Sequence, residues 1–308
     1  MNLNTAILAL LLGSGAFAQV APATESNTST VKQNEVGQRA EKKDIDDEIT
    51  NAKLRAATGS KKLISVSSSL AYAGASILNP TSTERPQLNS GSNAADPTNL
   101  SGNIALKYRA TDHDNISLGF GVQYTPAFVK NRQTGEKASA STTASSPYLD
   151  YSRVFRAADI QNVVSATISK YTLKEDIEDA KLNYSVGLSH SFMVGVGDSK
   201  FEVGMASGLG QDIYSEYMAG SYEYNLSFSP ILEYAFTDKA SFRTVYRAVN
   251  MSTKVDDNAR WKTADTSQSM GFGYAITRDV YVYPNMQWKW NRVASDATTV
   301  GFSTNINL

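Results

Sequence analysis

Cysteine is absent from this 308-residue chain, and histidine occurs only twice. The first absence excludes disulfide scaffolding, thiolate metal sites and thiol nucleophiles. The second leaves little imidazole for general-base work or metal ligation. No apolar run approaches the roughly eighteen residues of a membrane-spanning helix. An excess of charge of one sign is missing too: 29 Lys and Arg against 30 Asp and Glu leave a net charge of −1, which argues against nucleic-acid or polybasic lipid binding.

What is present is a period of two. From Gln268 the residues Met270, Phe272, Tyr274 and Ile276 alternate with Ser269, Gly271, Gly273 and Ala275. After Thr277-Arg278-Asp279 the run Val280, Val282, Pro284, Met286, Trp288, Trp290 alternates with Tyr281, Tyr283, Asn285, Gln287 and Lys289. Val300, Phe302, Thr304, Ile306 and Leu308 repeat the code. Strict alternation marks a pleated strand with one apolar and one polar face. These runs are about ten residues long, the length a tilted strand needs to cross hydrocarbon, whereas soluble sandwiches use about five or six. Alternation also explains the slightly negative mean hydropathy, because lipid-facing and lumen-facing residues cancel.

Three regions follow. Residues 1–18 read as a signal peptide, with the apolar run Ala6 to Leu12 and Ala16-Phe17-Ala18 as cleavage site, although the first residues carry no Lys or Arg. Residues 19–60 read as a periplasmic disordered segment and helix. Thr30-Val31-Lys32-Gln33 resembles a capping box, Ile45, Ile49, Ala52 and Ala56 share one helical face, and Gly59 suits a C-cap. So thin a stripe needs a partner, and the barrel lumen, the periplasmic mouth and a second copy all stay open. Residues 61–308 read as a barrel: an all-β, single transmembrane antiparallel up-and-down β-barrel of about twelve strands. Short connections (Thr111 to Asn115, Ala157 to Asp159, Gly197 to Lys200, Thr237 to Lys239, Thr277 to Asp279) alternate with long ones. Short turns face the periplasm in outer-membrane barrels, so both mature ends are expected there. Aromatics should form two girdles, with Tyr72, Tyr124, Tyr222, Tyr224, Trp288 and Trp290 near the outer rim and Phe155, Phe192, Phe201, Phe236 and Phe242 near the inner.

Hairpin arithmetic sets registers. Pairing Phe236 with Ala240 places Glu233 against Arg243, Ser229 against Arg247, and Tyr234 against Phe242. Pairing Ile276 with Val280 places Gly273 against Tyr283, so that a tyrosine covers a glycine's bare backbone. The candidate pore-lining residues are Lys107, Arg109, Asp150, Glu202, Glu223, Glu233, Arg243, Arg247 and Lys289, charges of both signs that would order water and sort ions. The bland reading is that they cross-link and fill a slim lumen.

No catalytic residue, cofactor or metal site is expected. His113 in Asp112-His113-Asp114 belongs to a short turn. His190 falls on the lipid face, but Ser189 and Ser191 point to the lumen, so a serine–histidine lipid hydrolase lacks its serine. Glu175, Asp176, Glu178 and Asp179 could bridge cations to lipopolysaccharide, which with outer-membrane lipid is the expected partner, and they match no EF-hand. Lys137 to Ser146 reads as a mobile surface loop. Arg153 lies awkwardly on the lipid face, explained either by snorkelling at the rim or by a homo-oligomeric contact, and Val163 to Tyr171 is poorly patterned.

The stretch Ile49-Thr50-Asn51-Ala52-Lys53-Leu54-Arg55-Ala56-Ala57-Thr58-Gly59-Ser60, with Tyr72-Ala73-Gly74, Pro80, Arg85-Pro86 and Lys107-Tyr108-Arg109, resembles porin-like outer-membrane proteins of Bdellovibrio-type predatory bacteria. The motifs cover the N-terminal third, and the remainder matches by strand pattern. The resemblance implies an outer-membrane location and a ring-forming homo-oligomer; it transfers no substrate and no catalytic residue. Leu308 departs from the terminal Phe or Trp common in such barrels. The expectation is a porin-like channel for passive diffusion of ions or small polar solutes. Its rival is a structural, ring-forming barrel with a closed lumen, and a lipid-modifying enzyme is a distant third.

Overall fold

Alternating side chains give a sheet two unlike faces, and closing the sheet on itself hides one of them while removing both edges. The computed structural model describes residues 49–58, 61–80, 82, 84–86, 96–127, 139–218, 221–254, 261–263 and 266–308. It is a closed antiparallel barrel of twelve strands preceded by a short helix. The helix is α1 (Ala52–Thr58). The strands are β1 (Ile64–Ser76), β2 (Asn99–Arg109), β3 (Asp114–Thr125), β4 (Ser141–Ala157), β5 (Ile160–Lys170), β6 (Leu182–Gly195), β7 (Phe201–Tyr214), β8 (Tyr222–Ala235), β9 (Ala240–Arg247, continuing as Val249–Lys254), β10 (Ser267–Thr277), β11 (Val280–Lys289) and β12 (Thr299–Asn307). Each strand pairs with its neighbours in the chain, and β1 closes the barrel against β12. Trp261–Thr263 pairs with Met251 to Thr253 and carries the β9–β10 hairpin further.

The greasy face looks outward. On β3, Ile116, Leu118 and Phe120 are exposed while Asn115 and Ser117 are buried; on β10, Phe272, Tyr274 and Ile276 are exposed while Ser267, Ser269 and Ala275 are buried. Leu118 at 63% and Phe272 at 60% exposure belong to a band that runs around the barrel, far larger than the few hundred Å² of apolar patch a soluble monomer shows. Such a surface suits contact with hydrocarbon.

Aromatic rings cluster outside near the short turns, where Phe201 and Tyr234 centroids lie 4.8 Å apart and Phe242 meets Phe272 edge-on at 5.7 Å. Near the long loops Tyr124, Tyr222 and Trp290 are exposed, but Trp288 is 9% exposed and adds nothing to an outer girdle.

Registers follow the hairpin arithmetic in part. Glu233 faces Arg243 and Tyr234 faces Phe242. The same ladder stops at Ile231 and Val245, and beyond Ala248 it resumes one residue out of step, so Ser229 does not oppose Arg247. Gly273 is covered by a tyrosine, but the ring is that of Tyr281: a Cβ on Gly273 would lie 1.9 Å from the Tyr281 hydroxyl.

One sequence expectation needs correction. The segment read as a mobile loop over Lys137 to Ser146 contributes Ser141 to Ser146 to β4, paired through Ser145 with Gly121 of β3. Serine and threonine serve an extended strand as well as a loop, and the break in register falls at Ser146, whose φ is +48°. Arg153 stays exposed on the outer face at the short-turn rim and gains a partner there: it sits directly opposite Asp114 with Nη1 3.3 Å from the carboxylate, which also accepts the Tyr151 hydroxyl at 2.6 Å. Val163 to Lys170 belongs to the regular strand β5, with Gln161, Val163 and Thr167 facing in and Ile168 out. The signal peptide, the capping box, Ile45 and Gly59 lie outside the described residues.

Candidate functional site

Asn51 begins the helix and is its N-cap: its Oδ1 accepts the Leu54 N–H at 3.2 Å. The same side chain donates Nδ2 to Glu202 Oε2 at 2.5 Å and to Glu233 Oε2 at 3.3 Å, while the Thr50 and Asn51 N–H groups both donate to Gln161 Oε1. At the other end, orphan helix carbonyls are taken up by the barrel wall. Asn307 Nδ2 donates to Ala56 O, Lys107 Nζ to Ala57 O at 3.2 Å, and Asn115 Nδ2 to Thr58 O at 3.2 Å. The Lys107 ammonium there also meets the negative end of the helix dipole.

These partners come from β2, β3, β5, β7, β8 and β12, on opposite sides of the barrel and all at its short-turn end. The helix therefore lies across the interior as a plug. Of the three placements the sequence left open, the lumen is the one observed. Two small apolar clusters hold it: Ile49 and Leu54 with Val154, Met193 and Ile231, and Ala56 with Ala275, Tyr281 and Tyr283. Burying Ile49 and Leu54 contributes about 1.5–3 kcal/mol each.

The electrostatics of the plug centre on a buried ion pair. Arg243 Nη1 is 2.6 Å from Glu233 Oε2, with both side chains almost wholly buried. Lys53 of α1 enters this field with its ammonium 5.6 Å from the centroid of the Tyr283 ring. The neighbouring Arg243 and burial, aided by Arg247 and opposed by Glu233, push the Lys53 ammonium down to about 7.

The nine charged residues singled out from sequence divide by depth. Glu202, Glu233, Arg243 and Lys107 engage the plug directly or through the ion pair. Arg109 braces the first short turn, with Nε 3.3 Å from Thr111 O and its guanidinium 3.8 Å from Asp112. Asp150 accepts the Thr167 hydroxyl at 2.6 Å on the inner wall. Arg247 reaches Ser267 Oγ at 3.5 Å. Glu223 stands partly buried at the long-loop end of β8, and Lys289 lines a cavity of about 810 Å³ among the long loops with Asn79, Asn291 and Arg292. A second cavity of about 430 Å³ lies inside the barrel between α1 and the walls of β1 to β5 and β12.

Asn51, Lys53, Gln161, Asn115 and Asn307 were missed. Asn51 was legible as an N-cap directly before Ala52-Lys53-Leu54, had the helix been started there. The others carry no local signal, since Gln161 meets Asn51 across 110 positions of chain and Asn307 meets Ala56 across 251.

His190 lies on the outer face, as alternation predicts. Its Nε2 is 3.0 Å from Asn162 Oδ1, and a serine on the same face does exist: Ser207, opposite it on β7. The Ser207 hydroxyl donates to the His190 carbonyl oxygen at 3.2 Å rather than to the ring. His113 sits in the first short turn, with Nδ1 3.1 Å from Val154 O.

No family model and no curated protein matches the sequence. Among solved structures the chain is similar to the COG4313 outer membrane channel from Pseudomonas putida F1, at 8% identity, covering 82% of this chain and 98% of that one with a TM-score of 0.50. A likeness at that identity shows the fold alone, a closed antiparallel β-barrel. A chain from a study of the in-meso crystallization of membrane proteins, also 8% identical and covering 79% of this chain and 83% of its own, superposes with a TM-score of 0.39, which carries no argument. Neither structure shows the resemblance of the N-terminal motifs to the Bdellovibrio-type group.

Proposed function

We propose that this chain is an outer-membrane channel for passive diffusion of ions or small polar solutes, held closed at one mouth by its own helix α1. The observation that carries the reading is α1 itself, seated across a polar interior through hydrogen bonds to many strands and two small apolar clusters. A segment held this way can be released without unfolding the wall, because every wall strand keeps its ladder partners. The nine charged residues would line the path once α1 leaves. The short turns, Leu308 and α1 share one end of the barrel, which suits a periplasmic position for that end.

Planar-bilayer recording tests the reading. The native protein should conduct rarely, and Leu54→Asp, which puts a charge into the Ile49 cluster, should raise the open fraction at least tenfold. Native and variant barrels that are folded yet both silent would sink it. The plug also favours a second reading, a structural barrel with a closed lumen that assembles into rings, and native mass spectrometry of the subunit count addresses that one.

A further inference from the structure

The cavity inside the barrel owes its existence to small inward residues. Ser67, Ser69, Ser117 and Gly121 line it on β1 and β3, where larger side chains would fill it. Its floor is α1, through Ala56 and Ala57. At about 430 Å³ it falls in the size range of small-molecule pockets.

Its chemistry is narrow. Laterally paired residues carry hydroxyls and amides around the wall: Ser117 lies between Lys107 and Asp150, and Asn103 lies between Ser69 and Gly121. The two charges are of opposite sign and both engaged, Lys107 with the Ala57 carbonyl and Asp150 with Thr167. A ligand of either net charge therefore meets repulsion as well as attraction. One aromatic ring is present, that of Tyr148, which lies against Gly119 so closely that a Cβ there would be 2.7 Å from its Cζ.

We propose that this cavity binds a neutral, polyhydroxylated ring solute of monosaccharide to disaccharide size. Hydroxyl and amide side chains exchange hydrogen bonds with a ligand's hydroxyls, an aromatic ring packs on its C–H face, and a wall with no net charge holds no ion in preference. The inference deepens the channel reading and rests on the lumen being reachable from the long-loop end. Because the floor is the plug, the solute halts there while α1 is docked.

Titration calorimetry on the full-length folded protein in detergent, with glucose, maltose and sucrose as probes and glycine and sodium chloride as controls, tests it. Saturable binding of at least one sugar is expected, weakened at least tenfold by Asn103→Leu with Ser69→Leu and unchanged by Lys174→Ala on an outer loop. Leu54→Asp, which removes the floor, should also weaken it. Absence of saturable sugar binding to the native barrel, glycine binding more tightly than any sugar, or sugar binding untouched by the wall or floor variants would overturn the proposal. Conductance on the same preparation separates the two readings: conductance without sugar binding removes only the sugar site, and sugar binding to a silent barrel removes only the channel.

Discussion

Glu233 and Arg243 face each other across the β8–β9 hairpin with 2.6 Å between Oε2 and Nη1, and the plug's Asn51 leans on the same carboxylate oxygen. Removing one partner of so buried a pair leaves an uncompensated charge. Arg243→Ala should therefore destabilise the barrel by about 3–5 kcal/mol. Urea unfolding followed by tryptophan fluorescence measures this. A double change, Glu233→Leu with Arg243→Met, should lose less than the two single losses added together, since the pair acts as a unit.

Asn51→Ala removes an N-cap and two hydrogen bonds to carboxylates while leaving every strand intact. Docking of α1 should weaken by about 0.5–2 kcal/mol from the cap alone, with the wall's stability unchanged. Hydrogen exchange of the Leu54 and Arg55 amides would rise, and the denaturation midpoint would not move.

Lys53 predicts a pH dependence. Docked, its ammonium is depressed to about 7; released into water it returns to its ordinary 10.5. Between those values the free segment holds a proton that the docked one lacks, so docking strengthens as pH rises through that window, by no more than about tenfold per unit. Below about 7 both states are protonated, the penalty is at its full size and the dependence is flat. Open fraction recorded from pH 6 to 9.5 should fall with pH above 7, and Lys53→Met should abolish the slope.

Ala158 occupies the two-residue turn between β4 and β5 with φ of +51°, a conformation that disfavours a side chain. Ala158→Gly relieves a left-handed backbone cost of about 1–2 kcal/mol against a smaller glycine entropy cost, so the urea midpoint should rise with no change in conductance.

The wall of this protein was legible because its information is local: alternation assigns each face, and a short turn such as Thr237 to Lys239 fixes its register by counting. The register arithmetic failed where a strand slips, at Ala248, since a bulge leaves no mark in an alternating sequence. Ser141 to Ser146 was misread because composition cannot tell a serine-rich strand from a serine-rich loop. The plug was only half legible. Its apolar stripe showed that α1 needed a partner, but the partners themselves, Gln161, Asn115 and Asn307, are scattered polar residues that only closure brings together. Ser207 escaped notice for the same reason: a search along one strand for a serine near His190 does not see the neighbouring strand.

Five residues, 59–63, join the end of α1 to the first residue of β1. Fully extended, that leash spans only about 18 Å, so a released helix stays beside the mouth it came from, at an effective local concentration on the order of millimolar. Recapture is then a first-order event that neither dilution nor protein abundance alters, and in a channel gated by α1 each opening would be a brief excursion whose lifetime is written into the length of the tether.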